Sequence, residues 1–156
     1  MRREGAYPCF LERDGTGRWA GFALDLPVAV WGKVSPEEVE RSLARGLALA
    51  LVELKEEGRA LPPPGRALRP EEEAEREREG YFLSYVTPAP VNPVSLELRR
   101  SLKASGLTAR EVARRMGTTP SAVSRLLDPF YFGHSLDTLR RFAEAVGGEV
   151  EVRVRV

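Results

Sequence analysis

Residues 107–127, LTAREVARRMGTTPSAVSRLL, decide how the second half of this chain is read. Ala113 is small, Gly117 follows four positions later, and Val123 and Leu126 come six and then three positions after that. The spacing predicts two short helices around a tight turn. Ala113 lets the helices approach closely, Gly117 takes a backbone conformation that other residues resist, and Val123 and Leu126 point into a shared core. Thr108 and Glu111 are placed as a capping box for the first helix. Thr119 is placed to cap the second, with Pro120 at its first position, where the missing N–H costs nothing and the fixed φ suits a helix start. Asp128-Pro129 then stops it.

The flanks extend the same pattern. Upstream, NPVSLELRRSLKASG places Asn92 at a cap and Pro93 at the first helical position, with Val94, Leu98 and Leu102 on one face. Downstream, Ser135 is placed to cap a last helix whose Leu136, Leu139, Phe142, Ala143 and Val146 form an apolar stripe, ended by Gly147-Gly148. Residues 149–156, EVEVRVRV, alternate strictly and predict a half-buried strand. Such a strand needs a partner, because an isolated edge exposes unpaired backbone groups.

The first half reads differently. AYPCFLERDGTGRWAGFALDLP, residues 6–27, predicts a hairpin around DGTG, and VAVWGKV a third strand. Ser35, Pro36 and Glu38 open a long helix with Val39, Leu43, Leu47, Ala50 and Leu54 on one face and Gly58 at its end. LPPPGRALRP marks a turn or crossover, and EEEAEREREG is a solvated helical or mobile segment. YFLSYVTP has strand composition and can return to the sheet as a fourth strand, followed by the linker PAPVNP. The expected organisation is an α+β domain over residues 1–88 and an all-α domain with a terminal strand over residues 89–156.

Composition bounds the function. The 156 residues suffice for one ordinary core or two small ones, and 42% hydrophobic with 30% charged is the balance of a soluble globular chain. No apolar run approaches the roughly 18–20 residues that cross a membrane, and the basic N-terminal stretch MRREGAYPCF lacks the apolar core of a secretion signal. The single cysteine, Cys9, fits a reducing cytoplasm and reads as a small core or semi-buried residue. The net charge of +1 hides an asymmetry: residues 91–156 hold 11 basic and 7 acidic side chains, residues 1–90 hold 13 and 16. A basic back half favours nucleic acid as a partner, and an acidic front half a partner of opposite charge.

Catalytic chemistry finds little material. Asp14 reads as a turn former, Asp25 as a strand-exit residue, and His134, the only histidine, as a helix-start staple or solvent residue. No Ser-His-acid set, metal cluster or phosphate loop is present, so the expectation is no enzyme, no catalytic residues, no metal and no cofactor. Trp19 reads as core. Trp31 falls on the opposite pleat face from Val30, where core burial and a partner anchor are equally open.

Two resemblances follow from these stretches. LTAREVARRMGTTPSAVSRLL followed by HSLDTLRRFAEAVGGEVEV resembles the phage-repressor (Xre-type) helix-turn-helix family over residues 92–148. In that family the first, second and sixth residues of the recognition helix meet base edges, which the resemblance carries to Pro120, Ser121 and Arg125. Relatives often have glutamine at the first of these and at the third position of LTA, where this chain has Pro120 and Ala109. Base reading therefore shifts toward Ser121 and Arg125, with Arg125 as the candidate for bidentate guanine recognition. Thr118, Thr119 and Ser124 add hydrogen-bonding groups, and of Arg110, Arg114 and Arg115 on the preceding helix at least two are expected to face the phosphate backbone, Arg110 and Arg114 foremost.

The front half, over residues 6–64, resembles the HicB antitoxin domain, through YP, DG, DLP, the GKVSPEE stretch and the proline run in that order. It departs at Val28, where relatives carry glycine, and in the charged segment 71–79. The resemblance implies a β-β-β-α-β unit akin to a reduced ribonuclease H fold. It also implies a cytoplasmic antitoxin that masks a small basic HicA-like ribonuclease toxin and represses their shared operon by binding operator DNA. A homodimer or higher even oligomer is expected, with half-sites about 34 Å apart and EVEVRVRV pairing across the two-fold axis. The alternative is an autonomous dimeric regulator with no toxin.

Overall fold

The computed structural model describes residues 3–156; Met1 and Arg2, which open the basic N-terminal stretch, lie outside the described residues. The chain forms two units, the first ending at Pro90 and the second spanning Val91–Val156. It is an α+β protein: a four-stranded antiparallel sheet with helices, then four further helices.

In the first unit, β1 (Tyr7–Arg13), β2 (Trp19–Ala23) and β3 (Ala29–Lys33) form a meander, α1 (Pro36–Glu56) follows, and α2 (Pro70–Glu79) precedes β4 (Phe82–Val86). The sheet order is β3-β2-β1-β4. Asp14 makes the first turn by accepting from the Thr16 amide at 2.8 Å, the Thr16 hydroxyl at 2.6 Å and the Arg18 amide at 3.0 Å. Those bonds, the Thr16 hydroxyl foremost, hold its carboxyl below the ordinary range.

Alternation assigns the two faces of the sheet. Tyr7, Cys9 and Leu11 of β1, with Ala23 and Val86 beside them, pack against Val39, Leu43 and Leu47 of α1. The opposite face is covered too: Phe10 is fully buried between Phe22, edge-on at 5.9 Å, and Tyr81, stacked at 5.2 Å. β1 is therefore buried on both sides, which explains its unbroken run of buried residues from Tyr7 to Leu11. Burial, followed by the charges of Asp25 and Glu40, pushes the Cys9 thiol up to about 12. The expected result is no alkylation of native protein at pH 8 and full alkylation in denaturant, measured by mass spectrometry.

The Ser35 cap forms as the sequence predicts, its hydroxyl accepting from the Glu38 amide at 3.2 Å. The Glu38 carboxylate, however, accepts from Val34 N–H at 3.1 Å instead of closing the box on Ser35. Gly58, at φ +68°, follows the last turn, with Arg59 N–H donating to Leu54 C=O at 2.9 Å.

The charged segment 71–79 is helical, capped by Gly80, and buries no residue of its own. What fixes it is an ion triad. Arg66 donates Nε and Nη2 to the Asp25 carboxylate at 2.7–3.1 Å, and Nη1 and Nη2 to Glu72 at 2.7 and 2.9 Å. The Arg66 carbonyl accepts from the Tyr85 hydroxyl at 2.7 Å, and the Tyr7 hydroxyl donates to Pro62 C=O at 2.8 Å. The proline crossover is thus tied to β1, β4 and the exit of β2. Asp25, read as a simple strand-exit residue, is one corner of that triad.

The second unit comprises α3 (Pro93–Ser105), α4 (Ala109–Met116), α5 (Pro120–Leu127) and α6 (Leu136–Ala145). Their core gathers Leu98, Val112, Ala113, Met116, Val123, Leu126, Phe142 and Ala145. The strand expected over residues 149–156 is corrected: this segment carries no strand pairing. A strand is held by its ladder, and the segment's own unit is helical and offers it no strand edge. Val150 is half-buried, and Val152, Val154 and Val156 are exposed. Among the described residues, no helix is long and apolar enough to cross a membrane.

Candidate nucleic-acid interface

Three residues, 117–119, join α4 to α5, and each has a distinct task. Gly117 stands at φ +69°, the left-handed region that a side chain resists. Thr118 is half-buried, and its N–H closes the end of α4 on Ala113 C=O at 2.9 Å. Thr119 caps α5, its hydroxyl accepting from the Ala122 amide at 3.2 Å. Pro120 occupies the first position of α5. Ala113, Val123 and Leu126 are all buried between the helices.

Burying Val123 and Leu126 turns Ser121, Ser124 and Arg125 outward, since positions one, four and five of a helix share a face. All three are exposed, as are Thr119 and Pro120 at the helix start. On α4, Arg110 and Arg114 are one turn apart and exposed. The guanidinium groups of Arg110, Arg114 and Arg125 make no ion pair or hydrogen bond with any described residue. The unit thus carries three unpaired guanidinium groups on α4 and α5. At the start of α5, where Pro120 has no N–H and Thr119 takes the Ala122 amide, the Ser121 amide and the positive dipole end remain for an anion. Arg115 is diverted: its Nη1 donates to Ala145 C=O at 2.9 Å, at the end of α6.

The other end of α5 is anchored by residues that sequence reasoning did not assign. Arg99 Nε donates to Leu127 C=O at 2.8 Å. His134 Nε2 lies 2.8 Å from Leu126 C=O, and its Nδ1 lies 3.3 Å from Asn92 Nδ2. The neutral imidazole with its proton on Nε2 satisfies both contacts, donating to the carbonyl and accepting from the amide. Asn92 meanwhile caps α3 through Val94 N–H at 3.0 Å and donates to Tyr131 C=O at 3.0 Å. His134 is therefore neither a staple nor a solvent residue, but a half-buried link between the start of α3 and the end of α5. Helix caps can be read locally; these contacts join residues 8 to 42 positions apart, and no local signal announces them.

A second surface lies on the sheet. β2 and β3 slip register between Trp19 and Gly21, so that Trp31 and Gly32 both stand opposite Ala20. Gly32 accommodates this bulge at φ +70°. Val30 packs on the α1 side, whereas Trp31 is 74% exposed. Of the two options open for Trp31, the structure places it outside the core.

No protein-family model matches the chain, and no curated protein matches it. Among the described residues, no group of three or more His, Cys, Asp or Glu is arranged to hold a metal ion.

Proposed function

We propose that this protein is a HicB-like antitoxin that represses its own operon by binding operator DNA as a dimer, through an Xre-type helix-turn-helix formed by α4 and α5. The observation that carries this reading is the exposed face of α5. Ser121, Ser124 and Arg125 share that face, on a helix whose opposite face and C-terminal end are fixed, and the preceding helix of the same motif carries the exposed, unpaired Arg110 and Arg114. Base contacts come from Ser121 and Arg125, and Thr118, Thr119 and the α4 arginines position the helix on the phosphates.

The meander, the long helix on one face and a fourth strand beside β1 support the HicB-like, reduced ribonuclease H-like reading of the first unit. Its acidic excess, 16 acidic against 13 basic residues over 1–90, suits a small basic ribonuclease toxin, and Trp31 is an exposed aromatic anchor for it.

Operator affinity is expected to fall linearly with salt on logarithmic axes. Arg125→Ala is expected to weaken operator binding by about 1–3 kcal/mol and relax the preference at one base pair, read by titrating an operator set with single-base changes. Equal weakening across the whole set would make Arg125 a phosphate contact instead. The decisive experiment is co-expression with the adjacent reading frame. Co-purification of a small basic chain whose toxicity this protein relieves establishes the antitoxin. DNA binding with no such partner makes it an autonomous regulator.

A further inference from the structure

Among the described residues no strand pairs with residues 149–156, yet their sequence is self-complementary. The valines occupy alternate positions, and Val152 and Val154 are 65% and 87% exposed. A groove of roughly 500 Å³ between α3 and α6 has Leu98, Leu139, Phe142 and Val146 as its apolar lining and continues onto residues 149–153, charged side chains as well as Val150 and Val152. Val150 and Val152 thus add to the apolar lining that the helices begin.

The polar side is more informative. Glu149 and Glu151 precede Val152, and Arg153 and Arg155 follow it, so the charge reverses sign about that residue. Arg153 Nε donates to Glu151 Oε1 at 2.7 Å, which puts both side chains on the same side of the segment. A two-fold axis through Val152 would set Glu151 opposite Arg153 of a second copy, and Glu149 opposite Arg155 of that copy, and would repeat both pairs. Val150 would meet Val154, and Val152 would meet itself. Moving the register by two residues, the smallest step that keeps the faces, sets Arg153 against Arg153 or Glu151 against Glu151. An in-register parallel arrangement sets like charges together at every position, and a staggered one leaves half or more of the charges without an opposite partner. One register of one orientation therefore satisfies every charge.

We propose that the partner of this segment is a second copy of the same chain, paired antiparallel and centred on Val152, with the valine side of the two-stranded ribbon against the apolar groove. The pairing supplies the ladder that the segment lacks, and opposite charges facing across strands add to it. This names the contact of the DNA-binding dimer and rests on that reading for its purpose, although its test does not involve DNA.

The test is the mass of the full-length protein in solution, by sedimentation velocity across a dilution series. Wild type is expected to be dimeric. E149R/E151R makes the segment wholly basic and R153E/R155E makes it wholly acidic; each is expected to raise the dimer dissociation constant about 10- to 100-fold. Mixing the two variants is expected to restore a dimer, and so is the fourfold inversion E149R/E151R/R153E/R155E. Damage to the fold would not be repaired by mixing. A monomeric wild type, unchanged single-sign variants, or a mixture that stays monomeric would each overturn the proposal. Operator binding measured in parallel separates the two ideas. A charge-dependent dimer that ignores DNA removes the functional reading alone, and a monomer that binds operator removes the pairing alone.

Discussion

Phe142→Ala is expected to unfold the helical unit while leaving the sheet unit intact. Phe142 is fully buried and belongs to the cluster that holds Leu98, Val112, Met116, Val123 and Leu126, residues of α3, α4 and α5. Truncating such a ring removes its transfer free energy and leaves a cavity, a loss of about 3–5 kcal/mol. That is comparable to the whole stability of a unit of this size. Both tryptophans, Trp19 and Trp31, lie in the first unit, so their fluorescence reports that unit by itself. Urea titration should show an unchanged fluorescence transition alongside an earlier loss of helical circular dichroism. Operator binding should disappear with the helices. Phe142→Leu, which keeps most of the volume, should cost about 1.5 kcal/mol or less and retain binding. A fluorescence transition that moves with Phe142→Ala would show that the two units unfold together.

Arg66→Ala is expected to have the opposite footprint, destabilising the sheet unit and sparing the helices. Its guanidinium holds two carboxylates, with side chains 19% exposed for Arg66 and 13% for each of Asp25 and Glu72. Removing the cation leaves both anions poorly solvated and facing one another, a loss of about 3 kcal/mol at neutral pH. Hydrogen bonds from Arg66 hold the Glu72 carboxyl down to about 2, against an ordinary value of 4.5, and raise the Arg66 guanidinium in turn. Because the folded value is depressed, the stabilisation is complete above pH 4.5 and is lost as pH falls through about 2. The difference between wild type and Arg66→Ala should therefore be largest near neutrality and shrink in acid, read from fluorescence-monitored urea midpoints at several pH values. Arg66→Lys keeps the charge but loses the planar fork, and should lie between the two. A difference that stays constant down to pH 2 would remove Glu72 from this account.

Much of the secondary structure was legible because its signals are local. Ser35, Asn92, Thr108, Thr119 and Ser135 each cap the helix that the sequence assigns to them, through their own side chains. Apolar alternation found the strands of the meander, and helical spacing found Val39, Leu43 and Leu47 of α1 and Phe142 and Ala143 of α6, whereas Leu136, placed in the same stripe, is exposed. Pro120 and Gly117 revealed the turn before α5, because each residue type suits a narrow backbone geometry. Segment 71–79 was ambiguous because it has no apolar stripe; its order comes from Arg66, which spans 41 residues to reach Asp25. His134 and Arg99 escaped for the same reason, since the carbonyls they meet lie on another element. The terminal strand was over-read, because alternation describes a face and not the edge that the face must join. The arginines of α4 show the same limit: exposure leaves Arg110 and Arg114 available, but only the fold shows that Arg115 is occupied by Ala145.

The bulge at Trp31 and Gly32 bears on how β3 can be approached. A regular outer strand offers a straight row of amides and carbonyls on which another chain can crystallise its own backbone, whatever its sequence. Two residues standing opposite Ala20 break that row's rhythm and add twist, so a visiting strand loses registry after a few residues. The indole at the break offers a large, stiff, chemically particular knob in its place. An edge interrupted in this way discourages indiscriminate sheet growth.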